Sequence, residues 1–197
     1  NKSVEDNKSG SITDLFKKKQ KRTKKNPLIV HFANLQSIQK EALVNEELIL
    51  LIKKFSPGPI TYILPLKKES KISSLVLNRH KEIACRIPNN KTFLAVLKQS
   101  KVPIAAPSAN LSNQVSTTRA IDVQKEFGNK LPCILDSKKI IIGLESTIIS
   151  FGSFIRIERP GAITKEMISK VVKQKVLETK HFGDIVAPGQ FKKHYSP

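Results

Sequence analysis

The residues of this chain that could do chemistry are cations, hydroxyls and amides placed at the ends of short apolar runs. Val102-Pro-Ile-Ala-Ala106 predicts a buried strand. Pro107 ends it, because the proline ring fixes one backbone angle and biases Ala106 towards an extended conformation. Ser108 and Asn110 are thereby delivered to the strand exit, where open α/β sheets hold ligands; an ordinary polar turn is the other reading. Gly143-Leu-Glu-Ser-Thr147 interrupts an apolar run, and a glycine there permits a bulge or a close ligand approach that exposes Ser146 and Thr147. Ser116-Thr-Thr118 precedes a helical pattern, where its hydroxyls either cap the helix or offer a phosphate site at its N-terminus.

Two arginines and a histidine complete this set. Arg86 lies between Cys85 and Ile87. Facing inward it needs an anionic partner, since an unpaired buried charge is very costly; facing outward it is an edge-strand arginine in water. Arg159 stands at the end of the strand-like run Phe154-Ile-Arg-Ile-Glu-Arg159, and His31 within Asn26-Pro-Leu-Ile-Val-His-Phe32. Taken alone, His31 reads as a satisfied core or edge histidine. The sequence contains no glycine-rich phosphate loop, no Cys/His cluster at metal spacing and no nucleophile elbow. Chemistry here therefore rests on positioning substrates and neutralising charge, without a covalent nucleophile.

The composition agrees with anion handling. A formal net charge of +19 over 197 residues makes nucleotide phosphates, RNA or anionic lipid the natural partners. An aromatic content of 6% with no tryptophan argues against a base-stacking single-strand binder. A hydrophobic content of 39% supports one globular domain with an appendage. No apolar run approaches the roughly 20 residues of a membrane helix, and the start has no apolar signal region. The start without methionine predicts a processed, truncated or fragmentary product. Cys85 and Cys133 each sit in an apolar run, which predicts buried free thiols in a reducing compartment, the cytoplasm.

The elements that must position these residues follow from periodicity and punctuation. Residues 1–14 are predicted to be a flexible or weakly helical N-terminal segment, and the basic run Lys17 to Lys25 then abuts the predicted Asn26–Phe32 strand. Leu35 to Phe55 has helical spacing and is stopped by Ser56-Pro-Gly-Pro59. Strands are predicted at Ile60–Pro65, Ile83–Pro88, Cys133–Leu135, Ile140–Ser150 and Phe154–Arg159. Helices are predicted at Ile72–Asn78, Thr92–Ser100, Ala120–Phe127 (capped by the Ser116–Thr118 hydroxyls) and from Thr164 to about Lys173. The main domain spans 15–173, and 174–197 have the composition of a linker or lid.

Six stretches together resemble the YrdC/YwlC family of threonylcarbamoyl-AMP synthases: Asn26-Pro-Leu-Ile-Val-His31, Ser56-Pro-Gly-Pro-Ile-Thr61, Ala84-Cys-Arg-Ile-Pro88, Pro103-Ile-Ala-Ala-Pro-Ser-Ala-Asn110, Gly143-Leu-Glu-Ser-Thr147 and Arg159-Pro-Gly-Ala-Ile163. They occur in family order from about residue 15 to 173. The tail Ala187-Pro-Gly-Gln-Phe-Lys-Lys-His-Tyr-Ser-Pro197 is similar to the linker of two-domain members, which folds back over the site.

The resemblance implies an open, twisted mixed α/β sheet with flanking helices and a basic concave face. It implies formation of L-threonylcarbamoyladenylate and pyrophosphate from L-threonine, bicarbonate (or CO2) and ATP, with Mg2+ accompanying the triphosphate. The product serves the threonylcarbamoyl modification of tRNA adenosine-37, which makes tRNA and the transferase proteins of that pathway expected partners. Carried over by position, Lys19, Arg22, Asn26, Asn110, Ser116, Thr118 and Arg159 are expected ATP contacts. His31, Arg86, Ser108 and Ser146 are expected threonine contacts, Arg86 clamping the carboxylate. His194 and Tyr195 belong to the lid.

The sequence departs from the family pattern in three places. The family's opening Pro-Thr-Glu-Thr-Val-Tyr-Gly-Leu element is absent, Lys19-Gln-Lys-Arg22 carries one extra residue before Asn26, and Asn113 stands where a glycine is usual. Two further functions are therefore weighed: an impaired remnant that binds RNA or nucleotide without turnover, and a carbamoyl-handling domain as in hydrogenase maturation proteins. The second is disfavoured by the absence of acylphosphatase and zinc-finger segments.

Overall fold

Strand alternation decides which side chains reach the site. The computed structural model describes residues 28–77, 81–109, 116–128, 131–137 and 143–179. It contains a mixed seven-stranded sheet in the order β4-β1-β3-β2-β5-β6-β7. The strands are β1 (Ile29–His31), β2 (Ile60–Pro65), β3 (Glu82–Arg86), β4 (Ile104–Ala105), β5 (Thr147–Ser150), β6 (Ile155–Arg159) and β7 (Val176–Glu178). Parallel pairs β1·β3, β2·β5 and β6·β7 alternate with the antiparallel pairs β1·β4, β2·β3 and β5·β6. The α/β class with an open mixed sheet and flanking helices is as the sequence predicts.

Successive side chains of a strand point to opposite faces. Val30, Tyr62, Leu64, Ile83, Cys85 and Ile149 all join the main core on one face. Their neighbours Ile63 and Ile148, with Ile29 beside them, form a small separate cluster on the other. By the same alternation His31, Thr61, Arg86 and Ser146 fall on this second face, opposite the main core.

The core face is covered by α1 (Leu35–Glu41) and α2 (Glu46–Phe55), which bury Ile38, Leu48, Leu51, Ile52 and Phe55. The sequence pattern reads as one helix from Leu35 to Phe55, and the structure divides it. Asn34 and Asn45 each cap a helix through Oδ1, accepting from Ser37 N at 2.9 Å and Leu48 N at 2.8 Å. The residues between them pair with the end of β2 instead: Leu43 N donates to Pro65 O and Lys67 N to Glu41 O, each at 2.9 Å. Alternation of apolar residues cannot reveal a second cap inside a continuous amphipathic run.

The remaining helices are α3 (Lys91–Ser100), capped by Asn90, α4 (Ala120–Phe127) and α5 (Lys165–Ser169), capped by Thr164. The helix predicted at Ile72–Asn78 is a single 3-10 turn, Ser74–Val76. β4 keeps only two residues and lies at the sheet edge rather than within it, as two nearby prolines lacking N–H groups require. No strand forms at residues 133–135, and Cys133 is exposed, whereas Cys85 is buried as expected. The sheet also extends past residue 173, because β7 pairs with β6. Among the described residues no helix is long and apolar enough to cross a membrane.

Candidate functional site

His31 and Arg86 are register partners on the parallel pair β1·β3, so their side chains stand side by side on the second face. They line a cavity of about 330 Å³ together with Phe93, Asn90, Leu135 and Ser137. The His31 ring is buried and tilted against Phe93 at 5.0 Å between centroids. Burial, and then the charge of Arg86, lower its pKa to about 3, so the imidazole is neutral at physiological pH. Its Nδ1 is buried without a hydrogen-bond partner among the described residues. Arg86 keeps its charge although burial and the nearby Arg159 lower its pKa to about 10. The Nε of Arg86 donates to Gly58 O at 3.2 Å, while Gly58 N donates to Ile87 O at 3.0 Å. Gly58 cannot be replaced cheaply, because a Cβ there would lie 2.0 Å from Phe55 O.

Arg159 reaches the same face through a β-bulge. Ile149 pairs with Ile157 on the core face, but Ile148 pairs with Arg159, so Glu158 is the extra residue. Without it, alternation would keep Arg159 with Ile157 in the core; with it, Arg159 shares the face of Ile148. The buried Arg159 donates from Nε and Nη2 to Ser146 O at 3.1 and 2.8 Å, and from Nη2 to Ser146 Oγ at 3.0 Å. The Ser146 hydroxyl also bonds Thr61 Oγ1 at 2.8 Å. Glu145 Oε2 pairs with Arg159 Nη1 at 2.5 Å, and its Oε1 accepts from Ser116 Oγ at 3.2 Å.

The backbone carrying Glu145 and Ser146 is clamped on both sides. Thr147 N donates to Pro59 O at 3.0 Å, and the Thr147 hydroxyl both donates to Ile163 O and accepts from Ile163 N. Gly161 closes against it: a Cβ would sit 2.5 Å from Thr147 N and 2.6 Å from Glu145 O. Gly143 has φ +64, a left-handed conformation that favours glycine, as the interrupted apolar run suggests. The bulge itself lies further on, opposite Ile148 and Ile149.

The expected site residues thus fall into three groups. His31, Arg86, Ser146 and Arg159 share one face, and Glu145 ties Ser116 to Arg159. Ser108 lies two residues beyond Ala106, which lines the cavity, but is not itself in its wall. Thr118 does not cap α4; Arg119 occupies that position without a side-chain cap bond and pairs with Asp122 instead. Lys19, Arg22, Asn26, Asn110, His194 and Tyr195 lie outside the described residues. Thr61, Glu145 and Asn90 are not singled out by sequence reasoning. The first two stand inside recognised motifs, Glu145 directly beside Ser146.

The face offers one buried and one half-buried guanidinium group, two hydroxyls and a neutral imidazole, of which Arg86 and His31 line the cavity, and this suits anionic and zwitterionic ligands. Among the described residues no group of three or more His, Cys, Asp or Glu could hold a metal ion.

Comparison with known proteins places the chain in a family. The Sua5/YciO/YrdC family, described as Telomere recombination, matches residues 5–161. The chain is 35% identical over 178 residues to the threonylcarbamoyl-AMP synthase of Pyrococcus abyssi, covering 87% of this chain and 52% of that protein. It is 37% identical to that of Bacillus subtilis, covering 87% and 51%. The chain thus spans about half the length of these curated relatives. The crystal structure of P. abyssi Sua5 complexed with L-threonine superposes with a TM-score of 0.88 at 32% identity, covering 99% of this chain and 58% of that one. Escherichia coli YciO shares the fold at a TM-score of 0.66 and 17% identity, covering 81% of this chain and 76% of that one. On the match over residues 5–161 and these relatives, the chain belongs to the Sua5/YciO/YrdC family.

Proposed function

We propose that this chain is the adenylate-forming domain of an L-threonylcarbamoyladenylate synthase. One observation carries the reading: His31 and Arg86 line a cavity on the sheet face they share with the bonded pair Ser146 and Arg159, in a fold that superposes on a relative complexed with L-threonine. The L-threonine amine and bicarbonate give a carbamate and water. A carbamate oxygen then attacks the α-phosphorus of ATP, and pyrophosphate leaves. Arg86 holds the amino-acid carboxylate beside the neutral His31. Arg159 and Ser116 face the nucleotide, where fixed donors stabilise developing phosphoryl charge without reorganisation. Magnesium enters as part of the substrate, MgATP. Lys19, Arg22, Asn26, Asn110 and Thr118 complete the nucleotide contacts in this reading, and Ser108 the threonine contacts. His194 and Tyr195 close the site, and the product passes, in the cytoplasm, to a transferase acting on tRNA.

The test is pyrophosphate release from ATP that requires both threonine and bicarbonate and is lost in Arg86→Ala. ATP binding without such release would instead favour a nucleotide- or RNA-binding remnant.

A further inference from the structure

Glu145 stands where an anionic ligand of Arg159 would stand. Its carboxylate bridges two groups that the proposed function turns towards ATP, meeting Arg159 Nη1 with one oxygen and the Ser116 hydroxyl with the other. Its charge also reaches Arg86, where it opposes the repulsion from Arg159. The Arg159 Nε and Nη2 are committed to Ser146. The Nη1 edge held by Glu145 is therefore the edge a phosphate oxygen would take. A buried cation beside a half-buried one is costly without a counter-charge, and Glu145 supplies one from within the protein.

We infer that Glu145 is an internal anion placeholder, a carboxylate that neutralises the Arg159–Ser116 subsite in the ligand-free protein and is displaced by the ATP phosphates. The inference rests on the nucleotide reading of Arg159 above. It assigns Glu145 an effect of definite sign. A residue that merely scaffolds the site weakens binding when removed, whereas a placeholder opposes binding, and its removal strengthens it. The ligand-free protein should lose stability by the same change, because the ion pair with Arg159 goes with it.

The experiment compares wild type with Glu145→Gln, an isosteric change, by thermal unfolding with and without ATP and by direct titration with ATP. The variant should melt lower without ligand, show a larger ATP-induced rise in Tm and bind ATP at least about tenfold more tightly, since a like charge beside a ligand is strongly unfavourable. Equal or weaker ATP binding in the variant overturns the inference while leaving the nucleotide reading intact. No ATP response in either protein overturns both. If Glu145→Gln does not fold, Glu145→Ala is read in the same way: it removes the charge and frees the Ser116 and Arg159 edges that the carboxylate holds. A larger ATP shift than wild type supports the placeholder, and an equal or smaller one removes it.

Discussion

Arg159 grips the carbonyl oxygen of Ser146 with two nitrogens, at 3.1 and 2.8 Å, and the Ser146 hydroxyl with one of them at 3.0 Å. The guanidinium is thereby fixed in plane and direction by a neighbouring strand entry. Arg159→Lys keeps the charge but cannot reproduce this fork. ATP affinity in Arg159→Lys should fall at least about tenfold, measured by calorimetric titration. Arg159→Ala should in addition lower the unfolding free energy in urea by about 3 kcal/mol, because the ion pair with Glu145 is broken from one side. Unchanged ATP affinity in Arg159→Lys would remove the fork from the nucleotide site.

Gly161 is packed so closely against residues 145–147 that the chain has no room for a methyl group. Gly161→Ala should push the Glu145–Thr147 backbone away from Pro59 and Ile163, costing about 2 kcal/mol in urea unfolding and weakening ATP binding. Gly152 gives the contrast, because a methyl group added there would meet only Phe154 O, at 4.0 Å. Gly152→Ala should leave ATP binding unchanged. Equal behaviour of the two variants would show that close packing at Gly161 is immaterial to the site.

In the proposed function, Arg86 separates the two ligands. Arg86→Lys should weaken L-threonine binding by an order of magnitude or more, since a point charge replaces a planar fork. Its effect on ATP binding should be much smaller. Calorimetric titration with each ligand checks this, and a loss confined to ATP would reverse the assignment.

His31 gives a pH prediction of definite sign. Its folded pKa of about 3 lies below the ordinary histidine value of 6.5 because burial and Arg86 disfavour the imidazolium. The unfolded chain therefore binds the extra proton first as pH falls. The stability contributed by neutral His31 is full above about pH 6.5 and is lost progressively as pH drops towards 3. The loss is on the order of a few kcal/mol. His31→Gln should flatten the fall in Tm between pH 7 and 4; parallel curves for the two proteins would refute the assignment. At pH 7 and above, the protein's stability should show no inflection from His31.

Much of the site is legible in the sequence because its motifs carry their own punctuation. Ser56-Pro-Gly-Pro59 and Arg159-Pro-Gly161 mark strand ends, and Thr61 and Arg159 beside them share one sheet face with His31. The two readings of Arg86 cannot be separated from sequence, since the strand's alternation tells which neighbours share a face and not which face is covered. The pairing of β1 with β3 settles it. The Ser116–Thr118 hydroxyls read as caps because they precede a helix, yet Ser116 turns to Glu145, a tertiary partner 29 residues away that no local pattern encodes. Cys133 sits in an apolar run that forms no strand, since short apolar runs carry no periodicity to test. β7 escapes notice for a similar reason: Val176-Leu-Glu178 is too short to show alternation.

The hydrogen bond between Thr61 and Ser146 joins residues 85 positions apart in the chain. Closing so long a loop costs conformational entropy before any strand contact repays it, and contacts of this separation slow folding. The β2·β5 seam should therefore form late, after local elements such as α1, α2 and the β2·β3 pair. Intermediates lacking that seam would hold the main hydrophobic core of β1 to β3 and yet have no place for Arg159 to dock. Recovery of ligand binding during refolding should lag behind recovery of helical structure, so that the site itself reports completion of the fold.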